Sequence, residues 1–186
     1  MRKLKLQVQI SIDGFISGIN GEMDWLTLAW SADLKEYVRR LTEPVDLILL
    51  GKNLAQGFIP YWTEELKSAN PEEGAEKFVN TPKIVFTKSL IKSGWDNTEL
   101  ATGDLTEEIN VLKKKEGGDI IVYGGAKLVS SLIKNNLIDE LHLFVNPVSI
   151  GEGLPIFQSI DRNQHYKLLR SENFDCGINV LVYKPC

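Results

Sequence analysis

The sequence predicts an α/β domain: a mainly parallel central sheet with helices on both faces and an antiparallel hairpin at the C-terminal end. Three observations carry this. Leu4, Leu6, Val8 and Ile10 alternate with Lys and Gln, the period of a strand. Short apolar runs further on alternate with stretches of helical periodicity, as βαβ units do. Two strand-like runs around Cys176-Gly177 close the chain as a hairpin. The 186 residues, 43% of them hydrophobic, suffice for one domain spanning 1–186.

The elements follow in order. The first strand has one apolar face to bury and is broken by Asp13-Gly14. From Ser31, a residue suited to capping free helix amides, Leu34, Tyr37, Val38 and Leu41 fall at helical spacing until Pro44. Leu47 to Leu50 is wholly apolar and closed by Gly51, as is a strand covered on both faces; Ile84 to Thr87 is another. Asp104 with Glu107 has the form of a capping box ahead of Leu105, Ile109 and Leu112, and Gly117 ends that helix. The strand Ile120 to Tyr123 leads through Gly124-Gly125 into a helix with Leu128, Val129, Leu132 and Ile133 inward. Leu141 to Val145 is a strand, and Leu168 to Phe174 pairs with Ile178 to Lys184.

Composition excludes several classes of function. A net charge of -4 lacks the basic excess that phosphate-backbone binding requires, so nucleic acid is not an expected partner. The N-terminal residues contain no apolar run fit for a secretion signal or membrane span, which gives a cytoplasmic expectation. Two cysteines, one of them the last residue, make no disulfide framework. His142 and His165 have no neighbours at metal-ligand spacing, so no metal is expected, and two histidines leave a hydrolase little choice of base.

In parallel sheets ligands gather at the carboxyl ends of the strands. There lie Asp13-Gly14, Gly51-Lys52-Asn53, Thr87-Lys88-Ser89 and Gly124-Gly125-Ala126. A helix N-terminus offers unpaired amides and partial positive charge, so Gly124 and Gly125 leading into Ala126, Lys127 and Leu128 suit a pyrophosphate. Lys52 can meet a phosphate as a point charge, and Thr87, Lys88 and Ser89 supply two hydroxyls and a cation. Each loop alone has a plain structural explanation as a turn or a tight connection.

Together these loops resemble the dihydrofolate reductase fold, and within it the reductase domain of bacterial riboflavin biosynthesis, the RibD C-terminal domain. The most specific parts of the likeness are Ser11-Ile12-Asp13-Gly14-Phe15-Ile16, Leu49-Leu50-Gly51-Lys52, Val122-Tyr123-Gly124-Gly125, Leu137-Ile138-Asp139-Glu140-Leu141 and Pro147 to Gly153. The resemblance implies NADPH, with the adenosine phosphates on Lys52 and 87–89, the pyrophosphate at 124–128 and the nicotinamide near Ile16. It also implies a cis peptide between Gly124 and Gly125, and a homodimer. Asp33 resembles the acidic residue of the substrate-facing helix, Trp25 the tryptophan upstream, and Phe58 an apolar residue against the substrate ring. Asp33 can hydrogen-bond a pyrimidine or pterin edge and favour protonation of the imine nitrogen being reduced; as a residue in a first helical turn it also suits the helix dipole. Asp13 is a second candidate for the pocket.

Some residues depart from the family pattern. Phe144 stands where folate reductases carry a threonine hydroxyl, and Lys52 where an arginine is usual, which exchanges a bidentate contact for a point charge. The zinc deaminase signature of the bifunctional riboflavin enzyme does not occur, and no phosphoribosyl clamp is assigned among Lys35, Arg39 and Arg40. The expected function is therefore an NADPH-dependent reductase of a heterocycle, of the 5-amino-6-(5-phosphoribosylamino)uracil type. Dihydrofolate reduction and non-catalytic NADP binding are the alternatives.

Overall fold

The computed structural model describes residues 1–186 other than Leu28 and Ser159. Its strands form one eight-stranded sheet in the order β4-β3-β2-β5-β1-β6-β8-β7. These are β1 (Leu4–Ile10), β2 (Val45–Gly51), β3 (Lys83–Phe86), β4 (Thr98–Ala101), β5 (Asp119–Val122), β6 (Glu140–Val145), β7 (Tyr166–Asn173) and β8 (Asn179–Pro185). The strands from β4 across to β6 run parallel, and β8 and β7 add the antiparallel hairpin. The helices are α1 (Ala32–Thr42), α2 (Lys52–Glu65), α3 (Ala75–Asn80), α4 (Leu105–Lys114) and α5 (Ala126–Lys134). Among the described residues, no helix is long and apolar enough to cross a membrane.

Helices cover both faces. On one, residues of α4 and α5 such as Ile109, Val129 and Leu132 pack with Leu4, Leu6, Val8, Leu49, Ile120 and Val122. On the other, α1 packs Leu34, Tyr37 and Leu41 on Phe144, Val180 and Val182, while α2 and α3 cover Ile48, Leu50, Val85 and Ile121 with an aromatic group. Between these two packs runs the second face of β1, with Lys5, Gln7 and Gln9. Alternation suggests that this face is open to solvent, yet Lys5 and Gln7 are buried, because β1 lies between β5 and β6 with helices on either side. Lys5 is matched by Asp119 at 2.7 Å.

Of the two capping expectations, one changes and one holds. Ser31 precedes α1 but makes no side-chain cap bond; its Oγ instead accepts from the Cys176 amide at 3.2 Å, tying the helix to the hairpin turn. Asp104 does cap α4, accepting from the Thr106 and Glu107 amides. Three elements lie outside the sequence reading altogether: α2, α3 and the edge strand β4.

Candidate functional site

Because the six strands are parallel, the turns after β1, β2, β3, β5 and β6 emerge on one edge, and specific contacts join them in pairs. After β2 and β5 the backbones touch. A Cβ built on Gly125 would lie 3.3 Å from the Gly51 Cα, and the Gly51 amide donates to the Gly124 carbonyl at 3.3 Å. On the Gly125 side the contact is tighter than a side chain ordinarily makes, whereas a Cβ on Gly51 would lie at an ordinary 3.5 Å from the Gly125 Cα. Gly124 and Gly125 also take φ of 143° and 86°, open to residues without a Cβ. With both glycines free to turn this way, the peptide between them is not cis, against the expectation, and no cis peptide occurs among the described residues.

Gly51 and Gly125 are moreover the N-caps of α2 and α5, and neither gives a side-chain cap bond. Two helix N-termini therefore stand side by side. Their first-turn amides, at 52–54 and 126–128, have no acceptor among the described residues. Partial positive charge and spare N–H groups make this junction a cradle for an anion. Lys52 extends it, donating to Ser89 Oγ at 2.9 Å and so joining the turns after β2 and β3. The Thr87 hydroxyl shapes that second turn by accepting from the amides of Ser89 and Leu90. Lys88 reaches the other way, to the carbonyls of Thr102 and Gly103 at 2.9 and 3.0 Å. Asn53 and Lys127 are exposed in the first turns of their helices, and Leu128 is buried beneath the junction.

The turns after β1 and β6 form a second joined pair. Both Asp13 carboxylate oxygens accept from the Ile150 amide, and one also takes the Gly151 amide at 2.8 Å. Hydrogen bonds hold that carboxyl below its usual range, the one with Ser11 foremost. Ile16 is buried with the α4/α5 core, its amide donating to the Leu154 carbonyl. This pair and the Gly51–Gly125 pair lie on either side of the boundary between β5 and β1. Leu6 is level with Val122, so continuing that register puts Gly124 level with Val8, and β1 runs on to Ile10 after β5 has turned away. The strand connections diverge at the glycine junction, since the chain leaves β2 toward β3 on one side and leaves β5 toward β6 on the other.

The remaining candidates divide between the surface and the core. Asp33 is exposed at the start of α1, its two oxygens accepting from the amides of Leu34 at 2.8 Å and Asp175 at 3.2 Å. A hydrogen bond from Ser31, then those from the amides of Asp175 and Leu34, hold its carboxyl below the usual range. Trp25 is half-buried, and its indole Nε1 is a buried donor without a partner. Phe58 packs into an aromatic group, stacked on Tyr123 with centroids 5.5 Å apart and edge-on to Phe78 and Trp62. Phe144 is fully buried between Trp30 and Tyr37. Arg39 and Arg40 pair with Glu36 on the solvated face of α1.

Two residues that the sequence reading passes over also belong to this edge. Asn146, wholly buried just after β6, accepts from the Thr27 amide through Oδ1 at 3.0 Å, and its Nδ2 donates to Gln9 Oε1 at 2.8 Å. Gln9 is the last but one residue of β1 and is half-buried. A polar cavity of about 200 Å³, lined by Lys5, Tyr37, Glu140, His142 and Arg170, lies at the opposite end of the strands.

The strand order, the terminal hairpin and the glycine junction define a protein of the dihydrofolate reductase-like fold. The chain belongs to the RibD C-terminal domain family, whose model matches residues 2–180. It is 32% identical over 189 residues to the Bacillus subtilis protein YyaP, covering 98% of this chain and 94% of that one. It is 26% identical over 155 residues to the riboflavin biosynthesis protein RibD of Corynebacterium ammoniagenes, covering 78% of this chain but 43% of RibD. Among solved structures it is similar to a diaminohydroxyphosphoribosylaminopyrimidine deaminase/5-amino-6-(5-phosphoribosylamino)uracil reductase of Thermotoga maritima. That likeness has a TM-score of 0.72 at 22% identity and covers all of this chain and 57% of the other. The chain thus spans about half the length of these last two relatives.

Proposed function

We propose that this protein is a cytoplasmic NADPH-dependent reductase of a small heterocycle, of the 5-amino-6-(5-phosphoribosylamino)uracil type. The observation that carries the proposal is the junction of Gly51 and Gly125, where two helix N-termini without side-chain caps meet at the switch point of a parallel sheet. The spare first-turn amides of the two helices, with their partial positive charge, are a donor set that fits a pyrophosphate. Lys52 with Ser89, and the turn formed by Thr87 and Lys88, would hold the adenosine phosphates, and Ile16 would border the nicotinamide. NADPH, when bound, supplies the hydride.

The chain's own groups contribute placement and charge. Asp33 stays a carboxylate at neutral pH, because its hydrogen bonds favour the charged form. An anion beside the imine nitrogen favours that nitrogen's protonated form, with the proton drawn from solvent. Trp25 Nε1 is a donor in want of an acceptor, and Asp13 acts indirectly by holding the 150–151 turn. The same reading includes a homodimer. Its support is β7, the outermost strand, on which Leu168 and Leu169 are 49% and 42% exposed; a monomer in analytical ultracentrifugation removes that part.

The test is NADPH consumption with aminopyrimidine substrates by wild type and Asp33→Asn. The variant is expected to lose turnover by about tenfold to a hundredfold. Since the Asp33 pKa is lowered, wild-type kcat should show no limb from this group between pH 5 and 8. Equal kcat in both proteins across pH removes Asp33 from the mechanism. Binding without turnover on any substrate leaves the chain a non-catalytic NADP-binding protein. Quenching of tryptophan fluorescence should favour NADPH over NADH, and Lys52→Ala should narrow that preference.

A further inference from the structure

The polar cavity of about 200 Å³ at the N-terminal end of the strands has no part in the reductase reading, yet four elements bring ionisable groups to it. Lys5 enters from β1, Glu140 and His142 from β6, Tyr37 and Arg40 from α1, and Arg170 and Glu172 from β7. Most of the charges cancel in place. Lys5 meets Asp119 at 2.7 Å, and Glu140 meets Lys3 at 2.8 Å. Arg170 has Glu172 as its counterion at 3.9 Å, too far for a hydrogen bond.

Arg40 is the exception. Its ion-pair partner Glu36 already gives both carboxylate oxygens to Arg39, at 2.7 and 2.8 Å, and stands 3.6 Å from the Arg40 Nε. The cavity is therefore left with a cation in excess. Neither Arg40 nor Arg170 makes a side-chain hydrogen bond among the described residues, so two guanidinium forks can turn to a ligand. Lys5, Arg40 and Arg170 come from three different elements, an approach that suits a tetrahedral anion better than a planar one.

His142 lines the same cavity while almost wholly buried. Tyr37 donates to its Nδ1 at 2.8 Å, and Glu140 lies 3.4 Å from its Nε2. Its cross-strand neighbour on β8, Val182, brings no charge. Burial keeps the ring neutral, with its pKa down at about 4; Glu140 favours a proton there, and Lys5 and Arg170 oppose it.

We infer that this cavity binds a tetrahedral oxyanion, the phosphate group of a small ester, held between Arg40 and Arg170 and taken up together with a proton on His142. An anion seated there offsets the repulsion of Lys5 and Arg170 for the imidazolium. Binding then raises the His142 pKa, and protonation tightens binding by the same factor. The site is remote from the glycine junction, at the other end of the strands, and stands whether or not NADPH binds there.

The experiment is an NMR titration of the imidazole signals of the full chain in sulfate and in chloride of equal ionic strength; sulfate mimics phosphate but keeps its charge over the range. Sulfate should raise the His142 pKa by about one unit and leave that of His165, the other histidine, in place. By linkage, calorimetry should show sulfate binding about threefold tighter near pH 4.5 than near pH 7. Arg40→Met combined with Arg170→Met removes side chains that are 60% and 58% exposed, so the fold should persist while the rise disappears. His142→Gln should still bind sulfate near pH 7 but lose this pH dependence. Glycerol 3-phosphate should suppress the heat that the double variant lacks, and failure to do so overturns the assignment to an ester. An unmoved His142 in wild type, the same rise in the double variant, or an equal rise at His165 overturns the site itself.

Discussion

Gly57 and Gly125 differ in what a methyl group would meet. A Cβ on Gly57, inside α2, would touch nothing within 4 Å, whereas on Gly125 it would press on the Gly51 backbone at a φ of 86°. Gly57→Ala is therefore expected to stabilise the protein by about 0.5 to 1 kcal/mol, through helix propensity and a smaller unfolded ensemble. Gly125→Ala is expected to cost about 1 kcal/mol or more and to weaken NADPH binding. Denaturant melts and fluorescence titrations check both, and equal effects at the two glycines would refute the close-approach argument. The glycine turns were legible in the sequence because their chemistry is local, a strand end running into a helix start. Gln9 and Asn146 were not. Their meaning depends on which strand neighbours which, and the alternation of β1 marks Gln9 as a solvent-facing residue until β5 and β6 are known to flank it.

At the scale of elements, α1 is fastened to the sheet by a polar contact as well as by its apolar face. The Tyr37 hydroxyl donates to His142 Nδ1 at 2.8 Å, and His142 Nε2 lies 3.4 Å from Glu140, with Lys5, Arg40, Arg170 and Glu172 around them. Burial pushes the His142 pKa down to about 4, against partial relief from Glu140. The unfolded chain therefore takes up this proton near pH 6.5 and the folded one only near 4. Stability is complete above pH 6.5 and falls as pH drops toward 4, by about 2 to 3 kcal/mol from this group between pH 7 and 4.5. His142→Gln should flatten that part of the profile in urea melts at the two pH values; a profile as steep as that of wild type would assign the acid sensitivity elsewhere. The periodic elements α1, α4 and α5 were legible, since each presents one apolar stripe to one sheet face. By contrast α2 carries Gly57 and Pro60 in its interior and buries only Ala55 and Ile59 fully, so its pattern is faint. Its seating comes from Phe58 and Trp62 meeting Phe78 and Tyr123, contacts no local window contains. The edge strand β4 has four residues with one fully buried, too short a run for alternation to register.

For the whole molecule, the decisive feature is topology. The run of strands and helices announced a parallel sheet, but the placement of β5 between β2 and β1 is a long-range fact, and it is this insertion that sets Gly125 against Gly51. A ligand seated there spans the turns of several strands and must stabilise the fold as a unit. At a hundred times its dissociation constant NADPH would add about 2.7 kcal/mol, which for a chain of this size raises Tm by roughly 5 to 10 °C. The most direct test of the central claim is backbone-amide NMR of the chain titrated with NADPH. The account predicts the largest shift changes at 51–53, 87–89 and 124–128, with smaller ones near Ile16. Changes confined to other surfaces, or none at saturating NADPH, would contradict it.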